Sequence, residues 1–161
     1  MDVRLARLDD NKAILEIYNE AVHNTTATFD TVDRTYEQQV QWFEKHGDMH
    51  PVLVAVLNDR VVGWASLNPY SDRLAYARTA EVSLYIHRDF RGQGIGKRLL
   101  NDVLEAGRNA GLHTVLSRIA EGNESSIRLH RQYGFGVVGT MKEVGFKFGR
   151  MLDVVMMQKM L

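Results

Sequence analysis

Cysteine is absent from the 161 residues, which removes disulfide scaffolding, thiolate catalysis and Cys-ligated zinc or iron-sulfur centres. Net charge is absent too: 20 Lys and Arg balance 20 Asp and Glu. Their signs alternate along much of the chain, so no basic face invites a nucleic acid or an anionic membrane surface. No apolar run approaches the roughly 20 residues of a membrane span. The amino terminus Met1-Asp2-Val3-Arg4-Leu5 lacks the apolar stretch and small-residue cleavage site of a leader. His23, His46, His50, His87 and His113 are scattered without metal-ligand periodicity, so no zinc site is expected. Repeats, low-complexity tracts and long linkers are missing as well. One soluble, cytoplasmic domain over residues 1–161 is the expectation, with no metal, nucleic acid or membrane partner.

What is present reads as alternating strands and helices. Val3 and Leu5 suggest a short first strand. Asp9 or Asp10 can cap a helix carrying Ile14, Ile17 or Tyr18, and Ala21. Thr35 can cap a second helix containing Val40 and Trp42-Phe43, which Gly47 can stop. Val52–Leu57 and Val61–Leu67 form a hairpin about the turn Asn58-Asp59-Arg60. A strand over Glu81–Ile86 puts Val82, Leu84 and Ile86 on one face and Glu81, Ser83 and Tyr85 on the other. Ile95, Leu99, Val103, Ala106 and Ala110 then mark the buried stripe of a long helix that Gly111 can end. Thr114–Ile119 supplies a central strand, Asn123 can cap a short helix with Ile127, Leu129 and Tyr133, and strands at Phe135–Val138 and Leu152–Met156 complete the order β-α-α-β-β-β-α-β-α-β-β. Trp42, Phe43 and Trp64 suit the core or a dimer contact better than a nucleotide-stacking platform.

The segment Arg91-Gly92-Gln93-Gly94-Ile95-Gly96-Lys97 lies between a strand and that long helix. Backbone N–H groups at a helix start have no intrahelical acceptor, and glycines let the main chain approach a phosphate closely. Arg91, Lys97 and Arg98 add local positive potential, which suits a diphosphate or a 3′-phosphorylated nucleotide tail. A dinucleotide fold lacks its early glycine-rich β-α unit, and a P-loop lacks its Gly-Lys-Ser/Thr.

Arg91, Gly94 and Gly96 resemble the acetyl-CoA motif of the Gcn5-related N-acetyltransferase superfamily: Arg or Gln, two residues, Gly, one residue, then Gly or Ala. Asn123–His130 and Tyr133-Gly134-Phe135 resemble its second cofactor motif. Tyr18-Asn19, Thr79–Ile86 and Gly149–Asp153 extend the likeness to the phosphinothricin and methionine-sulfone acetyltransferase branch. The resemblance implies an α/β acyl-CoA N-acyltransferase fold, a mixed central sheet flanked by helices with two parallel strands splayed around the cofactor. It also implies that the main chain of Leu84, Tyr85 and Ile86 pairs with pantetheine, that Arg91, Gly92, Gln93, Gly94, Ile95, Gly96 and Lys97 hold the pyrophosphate, and that Asn123 and Ser126 meet the pantetheine arm. Acetyl-CoA as co-substrate, a small amine as acceptor and a homodimer follow from the same likeness.

Amide formation needs a neutral amine to attack the thioester, so a base is required. Glu81 is the candidate, acting directly or through water, with the Ile86 N–H as donor to the developing oxyanion. The acid for the thiolate is left open: His130 stands where many relatives have tyrosine, and as a helix histidine it suits packing as well as proton donation. Arg78, three residues before Glu81, is a candidate partner for an acceptor carboxylate or else a solvated loop arginine. Phe29 in Thr25-Thr26-Ala27-Thr28-Phe29 is placed at the acceptor mouth, and Tyr133 either closes the pocket or packs in the core. Phosphinothricin, methionine sulfone and methionine sulfoximine are the acceptors the resemblance suggests. A protein amino-terminal or antibiotic acetyltransferase is the enzyme alternative, and a CoA-sensing module the non-catalytic one.

Overall fold

A computed structural model describes residues 1–161. The elements run β1 (Asp2–Leu5), α1 (Asn11–Asn24), α2 (Tyr36–Glu44), β2 (Val52–Leu57), β3 (Arg60–Pro69), β4 (Thr79–Ile86), α3 (Ile95–Asn109), β5 (Thr114–Ala120), α4 (Glu124–Gln132), β6 (Gly136–Lys147) and β7 (Arg150–Met160), with short 3-10 turns between some of them. This is the expected order of strands and helices. All seven strands form one sheet, ordered β1-β2-β3-β4-β5-β7-β6. Of its neighbouring pairs, only β4 with β5 is parallel.

That parallel pair is short. Its register holds at Thr79–Thr114, Ala80–Val115 and Glu81–Leu116 and then ends. Beyond this point each strand keeps its other neighbour. Val82 to Ile86 stay paired with β3, while Ser117 to Ala120 stay paired with β7. A wedge therefore opens in the middle of the sheet, and its floor is built by strands that remain hydrogen-bonded on their far sides.

The sheet is covered on both faces. On one, α3 buries Ile95, Leu99, Leu100, Val103, Leu104 and Gly107 against Val62, Leu67, Ala80 and Val115. The stripe differs from expectation at its second half, where Leu104 and Gly107 are buried while Ala106 and Ala110 are only partly so. Gly107 has a steric reason, because an added Cβ would run into Leu67 and Leu112. On the other face, Ile14, Ile17, Tyr18 and Val22 of α1 pack on Val52, Val54 and Trp64, with Trp42 and Phe43 of α2 against them. Trp64 is buried with its Nε1–H unpaired, a cost of about 1–3 kcal/mol. The burial of so large a ring offsets it, and Tyr18, Trp42 and Tyr85 surround that ring.

Several boundaries moved for identifiable reasons. Asn58 and Asp59 both have positive φ, 49° and 60°, so a two-residue turn suffices and Arg60 joins β3 instead of the turn. Thr35 caps α2 as expected, in a box with Gln38. Asp10 precedes α1 without a side-chain cap, because its carboxylate takes a bidentate Arg4 and the Arg7 N–H instead. That bonding holds the Asp10 carboxyl below its ordinary range against the opposing effect of burial. The largest difference is β6, expected to end at Val138 and found to reach Lys147. It pairs with β7 across two register shifts, and Asp153 bonds Lys142 and the Glu143 N–H at the second.

Candidate active site

The wedge holds a cavity of about 530 Å³. Glu81 to Tyr85 of β4 form one wall, Ser117 to Ala120 of β5 the other, and Asn123, Ser126 and His130 of α4 one end. The loop Thr26 to Asp30 closes the mouth together with Met141, Val144 and Val154. The volume is that of a small-molecule site, with apolar surface and a few converging polar groups.

Glu81 sits where the parallel pairing stops, its side chain 23% exposed. Arg118 clamps it: Nε–H donates to Oε1 at 2.7 Å and Nη2–H to Oε2 at 2.8 Å. The paired carboxylate holds the Arg118 guanidinium more firmly protonated than usual. Arg118 is absent from the sequence-based candidates, because its place beside Glu81 is set by the register of the two strands. Leu116 is the parallel partner of Glu81, and Arg118, two residues on, returns to the same face of the sheet.

At the far end of β4 the chain turns through Gly92 and Gly94, whose φ values of 75° and 82° are left-handed. Gly94 is the N-cap of α3, and the first cap bond runs from the Arg98 N–H to the Gly94 carbonyl at 3.3 Å. No turn or cap bond uses the preceding amides from Gly92 to Lys97, so these donors are without such partners at the positive end of a 15-residue helix. Ile95 buries its side chain and offers only backbone here, while Gly92, Gln93, Gly94 and Lys97 are exposed. Arg91 differs from expectation: Nη2 pairs with Glu20 at 2.7 Å and Nε–H donates to the Ile86 carbonyl at 3.2 Å, tying the turn to α1 and β4. Leu84 and Tyr85 line the cavity; Ile86 lies beyond its wall.

His130 is buried between α4 and β5. Its Nδ1 lies 2.7 Å from the Ser126 carbonyl, which can only accept, so the proton is assigned to Nδ1. Nε2 then accepts from the Ser117 hydroxyl at 3.1 Å, and burial pushes the ring pKa down. In this tautomer Nε2 is turned to the Ser117 hydroxyl as an acceptor.

The mouth loop is anchored from three elements. Tyr18 Oη bonds Thr28 Oγ1 at 3.0 Å and also Asp30, and Tyr85 Oη donates to the Ala27 carbonyl at 3.3 Å. Burial pushes both phenols up, well clear of ionisation near neutral pH. From β6, the buried Lys147 donates to the Thr28 carbonyl at 2.8 Å, and desolvation draws its pKa down. Phe29 lines the cavity with its ring on Gly145, where no Cβ fits. The remaining two candidates lie elsewhere. Arg78 precedes β4 at the closed end of the wedge, and its Nε–H donates to the Gly111 carbonyl. Strand direction carries the chain from Arg78 toward the cavity, so closeness in sequence to Glu81 did not become closeness to the site. Tyr133 packs against the α3 core cluster and does not reach the cavity wall.

A mixed sheet parted at its one parallel pair, with a carboxylate at the fork and a glycine turn opening the next helix, is the arrangement that the likeness to acyl-CoA N-acyltransferases implied. Residues 13–135 match the Acetyltransferase (GNAT) family, and the chain belongs to it. It is 38% identical over 159 residues to an L-amino acid N-acyltransferase of Escherichia coli, covering 98% of this chain and 92% of that one. A Salmonella typhimurium acetyltransferase solved with acetyl-CoA superposes with a TM-score of 0.97 at 37% identity, over 100% of this chain and 94% of the other. A Brucella melitensis structure described as a ribosomal-protein-alanine N-acetyltransferase gives 0.96 at 41% identity over 100% of both chains.

Proposed function

We propose that the protein, acting as one catalytic domain, transfers the acetyl group of acetyl-CoA to the primary amine of a small amino acid or analogue such as methionine sulfone, methionine sulfoximine or phosphinothricin. The observation that carries this reading is the Glu81 carboxylate on the wall of a cavity flanked by unpaired strand edges. The turn Gly92 to Lys97 supplies amides for the diphosphate, and the Leu84–Tyr85 edge with Asn123 and Ser126 cradles the pantetheine arm. Glu81 takes a proton from the acceptor ammonium, the neutral nitrogen attacks the carbonyl carbon to give a tetrahedral adduct, and collapse breaks the C–S bond while the nitrogen's second proton ends on the sulfur, leaving the N-acetyl product and CoA thiol. Holding both substrates in one wedge removes much of the entropic cost of bringing them together. Phe29 gives the acceptor mouth apolar area.

A thiol-release assay with acetyl-CoA and a panel of free amino acids, sulfones, sulfoximines, polyamines and peptides tests the reading. Release with mass-confirmed N-acetyl amino acid is expected. Release with peptides alone supports the protein amino-terminal alternative instead. Stoichiometric CoA binding without release from any acceptor rejects catalysis.

The reading also includes a homodimer built on β6 and β7. Val137, Val138, Val144, Phe146, Phe148 and Met151 are exposed there, an apolar surface of the kind that marks an interface. Phe146→Lys is expected to lower the mass measured by light scattering from two chains to one. A wild-type mass of one chain at tens of micromolar rejects the dimer. A cytoplasmic location belongs to the same proposal; no helix is long and apolar enough to cross a membrane.

A further inference from the structure

We propose that Arg118 reads the acceptor's carboxylate, so that Glu81 and Arg118 together form a site for the zwitterion of an α-amino acid. The inference rests on the acetyl-transfer reading above and extends it to acceptor selection. Arg118 is the only Lys or Arg on the cavity wall. The other cations nearby are committed: Lys147 to the Thr28 carbonyl, and Arg34 to Gln39 and the face of Tyr18. Arg78 is held by Gly111 away from the cavity.

The two bonds to Glu81 are the only hydrogen bonds the Arg118 guanidinium makes. Its side chain is 57% exposed, so it is free to swing, whereas Glu81 is the more enclosed partner at 23%. An acceptor ammonium that is to lose its proton to Glu81 has to displace Arg118 from that carboxylate. A plain amine replaces one ion pair by another and leaves the guanidinium without a partner. An α-amino acid brings a carboxylate one carbon from its ammonium. It turns the single Glu81–Arg118 pair into two pairs, ammonium with Glu81 and carboxylate with Arg118, without changing the charge of the site. The planar guanidinium, already presenting two parallel N–H groups to a carboxylate, suits the incoming one equally well. Selection among acceptors thereby falls on the group beside the amine more than on the side chain beyond it.

The test compares wild type, Arg118→Met and Arg118→Lys on two acceptors that differ only in the carboxylate: L-methionine sulfone and 3-(methylsulfonyl)propan-1-amine. Thermal melts of all three proteins accompany the kinetics. For Arg118→Met, KM for the amino acid should rise roughly 10- to 100-fold, the loss of a charge-assisted pair. The kcat/KM for the amine should fall at least tenfold less than that for the amino acid, and Arg118→Lys should recover part of the amino-acid KM. An equal fall in kcat/KM for both acceptors overturns the proposal and reduces Arg118 to orienting Glu81. Calorimetric titration of methionine sulfone in the presence of CoA reads binding without turnover. Failure of acetyl transfer therefore counts against the proposed activity, while equal affinity of wild type and Arg118→Met for the amino acid counts against Arg118.

Discussion

Replacing Glu81 with glutamine is expected to lower kcat by roughly a hundredfold to ten-thousandfold while leaving the dissociation constant of acetyl-CoA within about twofold. The substitution is nearly isosteric. It keeps an oxygen facing Arg118 and sits on a strand whose pairing with β3 does not depend on the side chain. What it removes is the ability to take a proton, so the loss of about 3–6 kcal/mol falls on the transition state. Pre-steady-state thiol release with separate CoA titrations measures both quantities. A variant with wild-type turnover across pH removes Glu81 from the role of base.

The other large effect is expected at the turn. Gly94→Val places a β-branched side chain at φ 82°, a left-handed conformation that costs an L-residue about 1–2 kcal/mol. A Cβ built there meets nothing within 4 Å, so the core is not disturbed and the new atoms crowd only the turn proposed to hold the diphosphate. KM for acetyl-CoA should rise about 10- to 100-fold, with kcat at saturation changed much less. Gly111→Val is the control, because Gly111 also has positive φ, at 96°, and open space around its Cβ. It lies at the other end of α3, about 22 Å away along the helix. Both variants should lose stability to a similar extent in thermal melts, and only the first should lose affinity. Equal KM values for the two would remove the turn from cofactor binding.

The sequence carried the framework well where local chemistry decides. The hydrophobic stripe of α3, the glycine turn before it and the β2–β3 hairpin all depend on residues a few positions apart. The features that escaped depend on contacts between distant segments. The end of β6 was hidden because Gly139, Gly145 and the Lys142-Glu143 step break the alternation that marks a strand, and pairing with β7 through register shifts supplies what the local pattern lacks. Arg118 escaped because its partner is set by the parallel register of β4 and β5, which no single segment encodes. The pairing of Arg91 with Glu20 on α1 is likewise set by two distant segments. Glu81 and Phe29 both line the cavity, as strand alternation and loop position lead one to expect. Arg78 was misplaced because counting residues ignores the direction in which a strand runs.

The bond from Lys147 to the Thr28 carbonyl joins residues 119 positions apart. Its donor strand carries the exposed Val144 and Phe146 on one stretch of backbone with Gly145, the seat of the Phe29 ring. A molecule covering this outer strand and a guest in the wedge would therefore touch the two sides of one short stretch of chain. Were each to shift it, linkage would require them to strengthen or weaken one another by one common factor, which amine affinity measured across protein concentrations would reveal.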